Sequence, residues 1–480
     1  MTGDPTRVPC PLRSAALASP DAEAVVGPGW AISYGELDRR VSASERGMGD
    51  LGIQPGGRVA LYLPKSLDYL VLLLALMRAG LVACPVSTRL PAAAVAPLLE
   101  EAGCSVLVSA DEDLRGATDE IPVVDPDVLL ADGAGYEGPP GPLDVSLARP
   151  ATIVFTSGST GIPKAALHTF GNHYYSALGS NDNIRLRPGD RWLHSLPPYH
   201  VGGLSIIFRC LLAGAAVALP GPEATIGGSI PDLRVTHVSL VSTQLLRLLR
   251  EDADLSGLEA VLMGGGPIDP TLVDGASELS IPVHTSYGLT EMASQVTATP
   301  PGAPLKRLYT AGRVLAHREV RVSEDGEILV RGETLFSGYV RDGRPDLPLD
   351  GEGWFHTGDL GELDAEGYLR VAGRRDNLFV SGGENVQPEE VEEALCRIEG
   401  VEEAVVVPVP DGEFGARPVA FVRTNGEAGD LAPELGKTLP RFKIPVAFHD
   451  WEGTGGMKPD RPALRRRAET LNPVSPPTNP

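Results

Sequence analysis

At 480 residues the chain is about three times an ordinary domain, so two or three domains and a large buried core are expected. Its 42% hydrophobic and 22% charged residues are typical of globular proteins and exclude wholesale disorder or a fibrous repeat. Lys and Arg total 41 against 63 Asp and Glu, a net charge of −22 that argues against non-specific nucleic-acid binding and anionic membrane surfaces. A polyanionic substrate then has to be held by local donors set in an acidic body.

In chain order, the first residues lack the charged-then-apolar profile of a signal peptide, and a cytoplasmic location is expected. Leu37 and Val41, four apart, place an amphipathic helix from Tyr34 onward. Residues 59–63 read as a strand, 70–81 as a buried helix and 82–86 as a strand. The most apolar run, 69–77, stops at Arg78 and is too short to cross a bilayer. Strand and helix in alternation predict parallel sheets covered by helices. Residues 133–142, rich in Gly and Pro, read as a surface loop. Five cysteines stand singly with no CxxC pair, as suits a reducing compartment.

The first stretch that carries chemistry follows the short strand Ile153, Val154 and Phe155. It consists of Thr156, Ser157, Gly158, Ser159, Thr160, Gly161, Ile162, Pro163 and Lys164. Glycines let successive N–H groups converge on an anion, the hydroxyls add donors, and Lys164 brings a mobile cation. Pro163 occupies the place of the second Walker A glycine, so this is a phosphate loop of another kind. Lysine occurs only at 65, 164, 306, 437, 443 and 458, so its use here points to a need for a compact ammonium. His168 and His173 lack a third ligand at metal spacing, and one of them is expected to face solvent; no zinc is assigned.

After residues 373–376 the composition changes to a short α+β pattern. A strand is expected at 377–380, an acidic helix at 388–398, strands at 403–407 and 418–422, and a basic C-terminal helix. That is enough chain for a small domain joined through a polar hinge.

The run TSGSTGIPK resembles the phosphate loop of the acyl-adenylate-forming superfamily, which includes acyl-CoA synthetases, luciferases and peptide-synthetase adenylation domains. The superfamily's other motifs follow in order: YGLTE at 287–291, GWFHTGD at 353–359, GRRD at 373–376, SGGENV at 381–386 and a lysine near the end, Lys458. The resemblance spans nearly the whole chain. It implies an α/β fold: a large N-terminal domain of stacked layers with mostly parallel sheets over 1–375, a small mobile α+β domain over 376–470, and a disordered tail over 471–480.

The resemblance also implies two steps, with Mg2+, ATP and CoA as co-substrates. A carboxylate attacks the α-phosphorus of ATP to give acyl-AMP and pyrophosphate, and a thiol then displaces AMP. Lys458 would bridge carboxylate and α-phosphate, although the surrounding GGMKPDR departs from the usual GK-x-x-R form. Glu291 would hold Mg2+, Thr290 would donate to the α-phosphate, and Tyr287, between Ser286 and Gly288, would stack on adenine. Asp359 would accept from both ribose hydroxyls, with Arg374 beside it. Gly264, Gly265 and Gly266, after the strand Ala260, Val261 and Leu262, would border adenine and the acyl pocket. Asp376 matches the hinge; rotation there would bring Ser381, Gly382 and Gly383 to the site to form the pantetheine tunnel.

The segments 196–205, 239–247 and 290–295 are similar to those of the o-succinylbenzoate–CoA ligases of menaquinone biosynthesis. That substrate has an aliphatic carboxylate to activate and an aromatic one to recognise, and the second charge needs a cation or several donors. Arg209, Arg247, Thr243, Gln244, Ser294 and Gln295 are candidates. By the same resemblance Val201, Gly202, Gly203 and Met292 would line that pocket, and His200 would stand as a gate beside the carboxylate. Another aryl- or acyl-CoA ligase, an adenylation enzyme loading a carrier protein, and an inactive nucleotide-binding relative stay open. The expected partners are a small carboxylic acid, ATP and CoA, without nucleic acid or membrane span, and a homodimer is compatible with the sequence.

Overall fold

Two large sheets stand where the strand–helix alternation predicts them. The computed structural model describes residues 6–49, 52–117, 121–130, 133, 141–156, 163–266, 268, 270–341, 343–382, 384–411, 414–426, 430–453 and 459–472. The first sheet has eight strands. Pro150–Thr156, Val82–Pro85, Arg58–Leu61, Val106–Val108 and Val123–Val124 run parallel. An antiparallel flank of Lys164–Thr169, Gly338–Arg341 and Arg344–Asp346 extends it. The second has nine strands, parallel from Val283–Leu289 to Glu23–Gly27 and antiparallel at both edges.

The helix Leu67–Ala79 shows why the two sheets stack. Ser66 caps it, its hydroxyl accepting from the Tyr69 amide, and Gly80 ends it in the left-handed conformation at φ 81°. Every residue from Tyr69 to Met77 is buried, in one apolar cluster with Val25 and Val217 of one sheet and Val59 and Ala83 of the other. A helix apolar all round belongs between two layers. Each fully buried leucine contributes about 1.5–3 kcal/mol, so Leu72→Ala would cost about 2–5 kcal/mol. The helix begins three residues before the expected Leu70, because the cap rather than the first leucine sets its start. Among the described residues no helix is long and apolar enough to cross a membrane.

A third, antiparallel sheet of Arg318–Val322, Glu327–Gly332, Phe355–Leu363 and Leu369–Arg374 closes the large body. All three sheets meet in a cluster that includes Ala166, Tyr287, Met292, Val330, Phe336 and Phe355. Beyond it the hairpin Phe379–Ser381/Glu384–Val386, the sheet Val401–Asp411/Gly415–Thr424/Phe448–Asp450 and the helices Pro388–Cys396 and Arg461–Leu471 have their own two apolar clusters. The expected strand at 377 starts at Phe379 because Arg375–Asn377 forms a single 3-10 turn. Leu471, placed in the expected tail, ends the last helix; residues 473–480 lie outside the described residues. Across the two bodies, Arg250 pairs with Glu402 and the Gln387 amide donates to the Arg374 carbonyl at 3.0 Å.

Candidate active site

The phosphate-loop segment joins two antiparallel strands, so its ends are held together. Thr156 and Lys164 face each other across the ladder, both half-buried. Ser157, Gly158, Ser159, Thr160 and Gly161 lie outside the described residues, as do Gly383 and Lys458. Along the strand Lys164–Thr169 side chains alternate, so Lys164, Ala166 and His168 share one face. Ala166 pairs with Tyr339 across the next ladder, and the Lys164 ammonium sits 5.0 Å from the centre of the Tyr339 ring.

That face carries the turn Thr290–Met292. The Tyr339 hydroxyl donates to the Glu291 carboxylate, the Phe336 amide to the Glu291 carbonyl at 2.8 Å, and His168 Nε2 to the Thr290 carbonyl at 2.7 Å. Ala293 and Ser294 leave the turn at φ 53° and 123°, values costly for residues with a Cβ, and the Ser176 hydroxyl holds the Ala293 carbonyl at 2.8 Å. The turn is over-determined, as a site that presents a carboxylate and a hydroxyl in fixed positions requires. His168 and His173 are both fully buried, against the expectation that one faces solvent. Burial pushes the His168 pKa down to about 4 and His173 well below its ordinary value. The neutral imidazoles here hold the Thr290 carbonyl and the Thr152 hydroxyl.

Beside the turn, Asp359 is buried and accepts from the Tyr287 hydroxyl at 2.6 Å and from Arg374 Nη1 at 3.0 Å. Each carboxylate oxygen keeps a further lone pair for a ligand hydroxyl. Burial first, and the Asp359 charge second, hold the Tyr287 phenol well above its ordinary pKa, so it stays a donor. Gly288 follows, where a Cβ would strike the Ser294 carbonyl. Ser286 donates to the Met263 carbonyl at 2.8 Å, and a Cβ on Gly264 would lie 2.8 Å from its hydroxyl oxygen. Gly265, at φ 83°, and Gly266 are exposed beyond it.

The acyl-pocket candidates fall on several elements; Met292, in the turn, is fully buried. His200, exposed and edge-on to Tyr199 at 4.8 Å, precedes the helix Val201–Ala213. Val201 is buried in that helix and Gly202 half-buried. A Cβ on Gly203 would strike the Pro197 carbonyl, so glycine lets the helix start close against the loop that precedes it. About two turns in, Arg209 is 1% exposed and donates to Gln295 Oε1 at 2.9 Å and Ser294 Oγ at 3.3 Å, with Trp192 beneath it at 5.0 Å. No carboxylate pairs with it among the described residues. Thr243 and Gln244 are half-buried at the start of the helix Ser242–Arg250, but Arg247 is exposed, away from Leu245 and Leu248, and does not join Arg209.

Asp376 and the Arg374 side chain are exposed at the junction of the two bodies, 3.3 Å apart. Ser381 is buried in the first hairpin of the small body. Gly382, at φ 59°, meets Phe414, whose carbonyl accepts from its amide at 2.9 Å. Among the described residues no three His, Cys, Asp or Glu side chains converge to hold a metal. A lone carboxylate such as Glu291 suits a Mg2+ that reaches its site with phosphate oxygens and water as its other ligands.

Three comparisons bear on this arrangement. The AMP-binding enzyme family model matches residues 12–340, and the AMP-binding enzyme C-terminal domain model matches 390–450. The 2-succinylbenzoate–CoA ligase of Oceanobacillus iheyensis is 33% identical over 460 residues, covering 90% of this chain and 93% of that protein. Its counterpart in Listeria monocytogenes is 33% identical over 434 residues, covering 89% and 92%. Among solved structures, the Bacillus subtilis o-succinylbenzoate coenzyme A synthetase (MenE) in complex with the acyl-adenylate intermediate OSB-AMP superposes with a TM-score of 0.85. It is 29% identical, and 97% of this chain and 98% of that one are covered. The same enzyme with ATP and magnesium ion gives a TM-score of 0.83 at 31% identity over 93% and 96% of the two chains.

Proposed function

The chain belongs to the AMP-binding enzyme family, and from that premise we propose how its residues make it an AMP-forming acid–CoA ligase. The reaction is o-succinylbenzoate, ATP and CoA to o-succinylbenzoyl-CoA, AMP and pyrophosphate, a step of menaquinone biosynthesis. The observation that carries the substrate reading is Arg209, a buried guanidinium on the helix that follows His200, with neutral partners only among the described residues. A buried cation without a carboxylate is costly, and a substrate carboxylate placed there would relieve that cost. Arg209 is accordingly our choice over Arg247 for the aromatic carboxylate, with Ser294 beside it.

In the first step the aliphatic carboxylate needs no base, because a carboxylic acid is ionised at neutral pH. The obstacle is anion meeting anion, so the residues serve as cations and fixed donors. Bound Mg2+ neutralises phosphate charge. Glu291 is the residue that would hold it, oriented by Tyr339. Thr290 donates to the α-phosphate from a turn that His168 fixes, and Lys164 with the 156–161 backbone cradles the leaving pyrophosphate. Asp359 and Tyr287 take the ribose and adenine, with Arg374 beside them and residues 264–266 and 288 giving close backbone approach. Lys458, from the small domain, bridges carboxylate and α-phosphate. In the second step the small domain, from 376 onward, turns at Asp376. Ser381, Gly382 and Gly383 then admit the pantetheine arm, whose thiolate attacks the acyl carbonyl as AMP leaves. His200 gates the acyl pocket over Val201, Gly202, Gly203, Thr243, Gln244 and Met292.

Five free thiols, four of them buried, support a reducing, cytoplasmic setting. The test of the whole reading is pyrophosphate release with Mg-ATP, CoA and a panel of o-succinylbenzoate, benzoate, medium-chain fatty acids and amino acids. Turnover confined to o-succinylbenzoate, with its CoA thioester as product, is the expected result. Turnover of benzoates or fatty acids instead would keep the adenylation chemistry and overturn the assignment of Arg209.

A further inference from the structure

Arg209 has a buried neighbour of the same charge. Arg318, 6% exposed at the start of its strand, sends Nε to the Gln295 carbonyl at 2.6 Å and Nη1 to the Ala316 carbonyl at 2.6 Å. Its Nη2 reaches the Ser176 carbonyl at 3.0 Å and the Ser176 hydroxyl at 3.3 Å. As with Arg209, no described carboxylate pairs with it. Gln295 links the two: its carbonyl takes Arg318, while its side-chain oxygen takes Arg209 at 2.9 Å and the Ser180 hydroxyl at 2.7 Å. Burial lowers the pKa of Arg318 to about 9, with the Arg209 charge as the second cause, and burial lowers Arg209 to about 10. The Arg209 charge thus bears on Arg318, and the Gln295 side chain and carbonyl join the two.

The fold gives up local comfort to seat Arg318. His317, just before it, sits at φ 67°. Gly179 lies inside the helix Phe170–Asn183, where glycine is unfavourable, and a Cβ there would come within 2.4 Å of Arg318 Nη1 and 2.6 Å of the Ala316 carbonyl oxygen. One bond made by Arg318, to the Gln295 carbonyl, falls on the corner that leaves the Thr290–Met292 turn through strained Ala293 and Ser294, and Ser176, which accepts from its Nη2, holds the Ala293 carbonyl.

We propose that Arg318 is the positioning residue for recognition of the second carboxylate: it fixes the Ser294–Gln295 corner that aims Arg209, and adds a second buried positive charge behind it. This rests on the reading of Arg209 as the group that meets that carboxylate. The pocket then selects acids carrying two negative charges, since a mono-acid leaves both guanidiniums uncompensated.

The test compares o-succinylbenzoate with 4-oxo-4-phenylbutanoate, the same acid without its ring carboxylate, in the pyrophosphate-release assay. Arg318→Met should raise KM for o-succinylbenzoate about tenfold or more, while KM for the mono-acid and for ATP stays within about twofold. Arg318→Lys, which keeps charge but loses the fork, should fall between. Gly179→Ala, which crowds the guanidinium from outside the pocket, should shift the same ratio and serves if Arg318→Met does not fold. Equal losses on both acids, or no loss on either, would overturn the positioning role. A wild-type protein that takes both acids equally would instead remove the reading of Arg209, and this inference with it.

Discussion

Tyr287 donates a 2.6 Å hydrogen bond to Asp359, 72 residues further along the chain, and so ties the strand before the Glu291 turn to the strand that leads toward the hinge. Asp359 thereby keeps one geometry before any nucleotide arrives. Hydrogen bonds to a charged group are worth roughly 1.5–3 kcal/mol, so Asp359→Ala should raise KM for ATP about 10- to 100-fold. Tyr287→Phe should act in the same direction and less. Equal KM values for ATP in wild type and Asp359→Ala would remove the ribose role.

The two half-reactions separate the roles of Lys458 and Asp376. Lys458→Ala should slow formation of acyl-AMP by roughly 100- to 1,000-fold, the loss expected when a positioned donor on developing charge is removed. Transfer from supplied acyl-AMP to CoA should change little. Asp376→Pro should show the reverse pattern, because a fixed φ at the pivot hinders rotation more than either resting arrangement. Single-turnover measurement of each half-reaction checks both. Equal loss in the two steps for Asp376→Pro would remove the hinge.

Acid should destabilise the fold through its buried histidines. His168 has a folded pKa of about 4 against about 6.5 in the unfolded chain. The unfolded state then binds more protons between these values, so stability is full above pH 6.5 and falls as pH drops toward 4. For His168 alone the loss is about 3 kcal/mol at full protonation. His194, with a folded pKa of about 3, adds a second contribution of the same sign. Denaturant unfolding at pH 7.0 and pH 5.0 should show this fall, and His168→Gln should flatten it. An unchanged pH dependence in His168→Gln would show that the imidazole is not the group that titrates.

Gly203 gives a test of the pocket wall that is independent of charge. Gly203→Ala places a methyl group against the Pro197 carbonyl, and the helix must shift to admit it. Overpacking of this kind costs typically about 1–3 kcal/mol, which calorimetry would read as a lower Tm. Because His200 and Val201 start the same helix, KM for the acid should rise more than KM for ATP.

The proposed nucleotide residues can be picked out in the sequence because phosphate, ribose and metal each demand a residue type in a short contiguous run. The loop from 156 to 164, the turn at 290–291 and Asp359 are such runs. His168, Tyr339 and Arg318 carried no such signal. His168 meets the Thr290 carbonyl across 122 residues, and Tyr339 reaches Glu291 only because its strand pairs with Ala166. Arg247 and Arg209 look alike in sequence, and burial alone separates them. The layered α/β class followed from the alternation of apolar strands and helices. The antiparallel flank that carries Lys164 did not, because local patterning holds no information on strand direction.

The Arg250–Glu402 contact joins the two bodies at the surface, where Arg250 is half exposed. Such a clasp is weak and is thinned further by dissolved ions, whose screening length is about 8 Å at physiological strength. The rotation proposed at Asp376 gains from a fastening of that kind, which biases one pose without locking it. Ionic strength should therefore act on this protein as a throttle on domain exchange, and charge reversal at Glu402 should open that throttle even in dilute buffer.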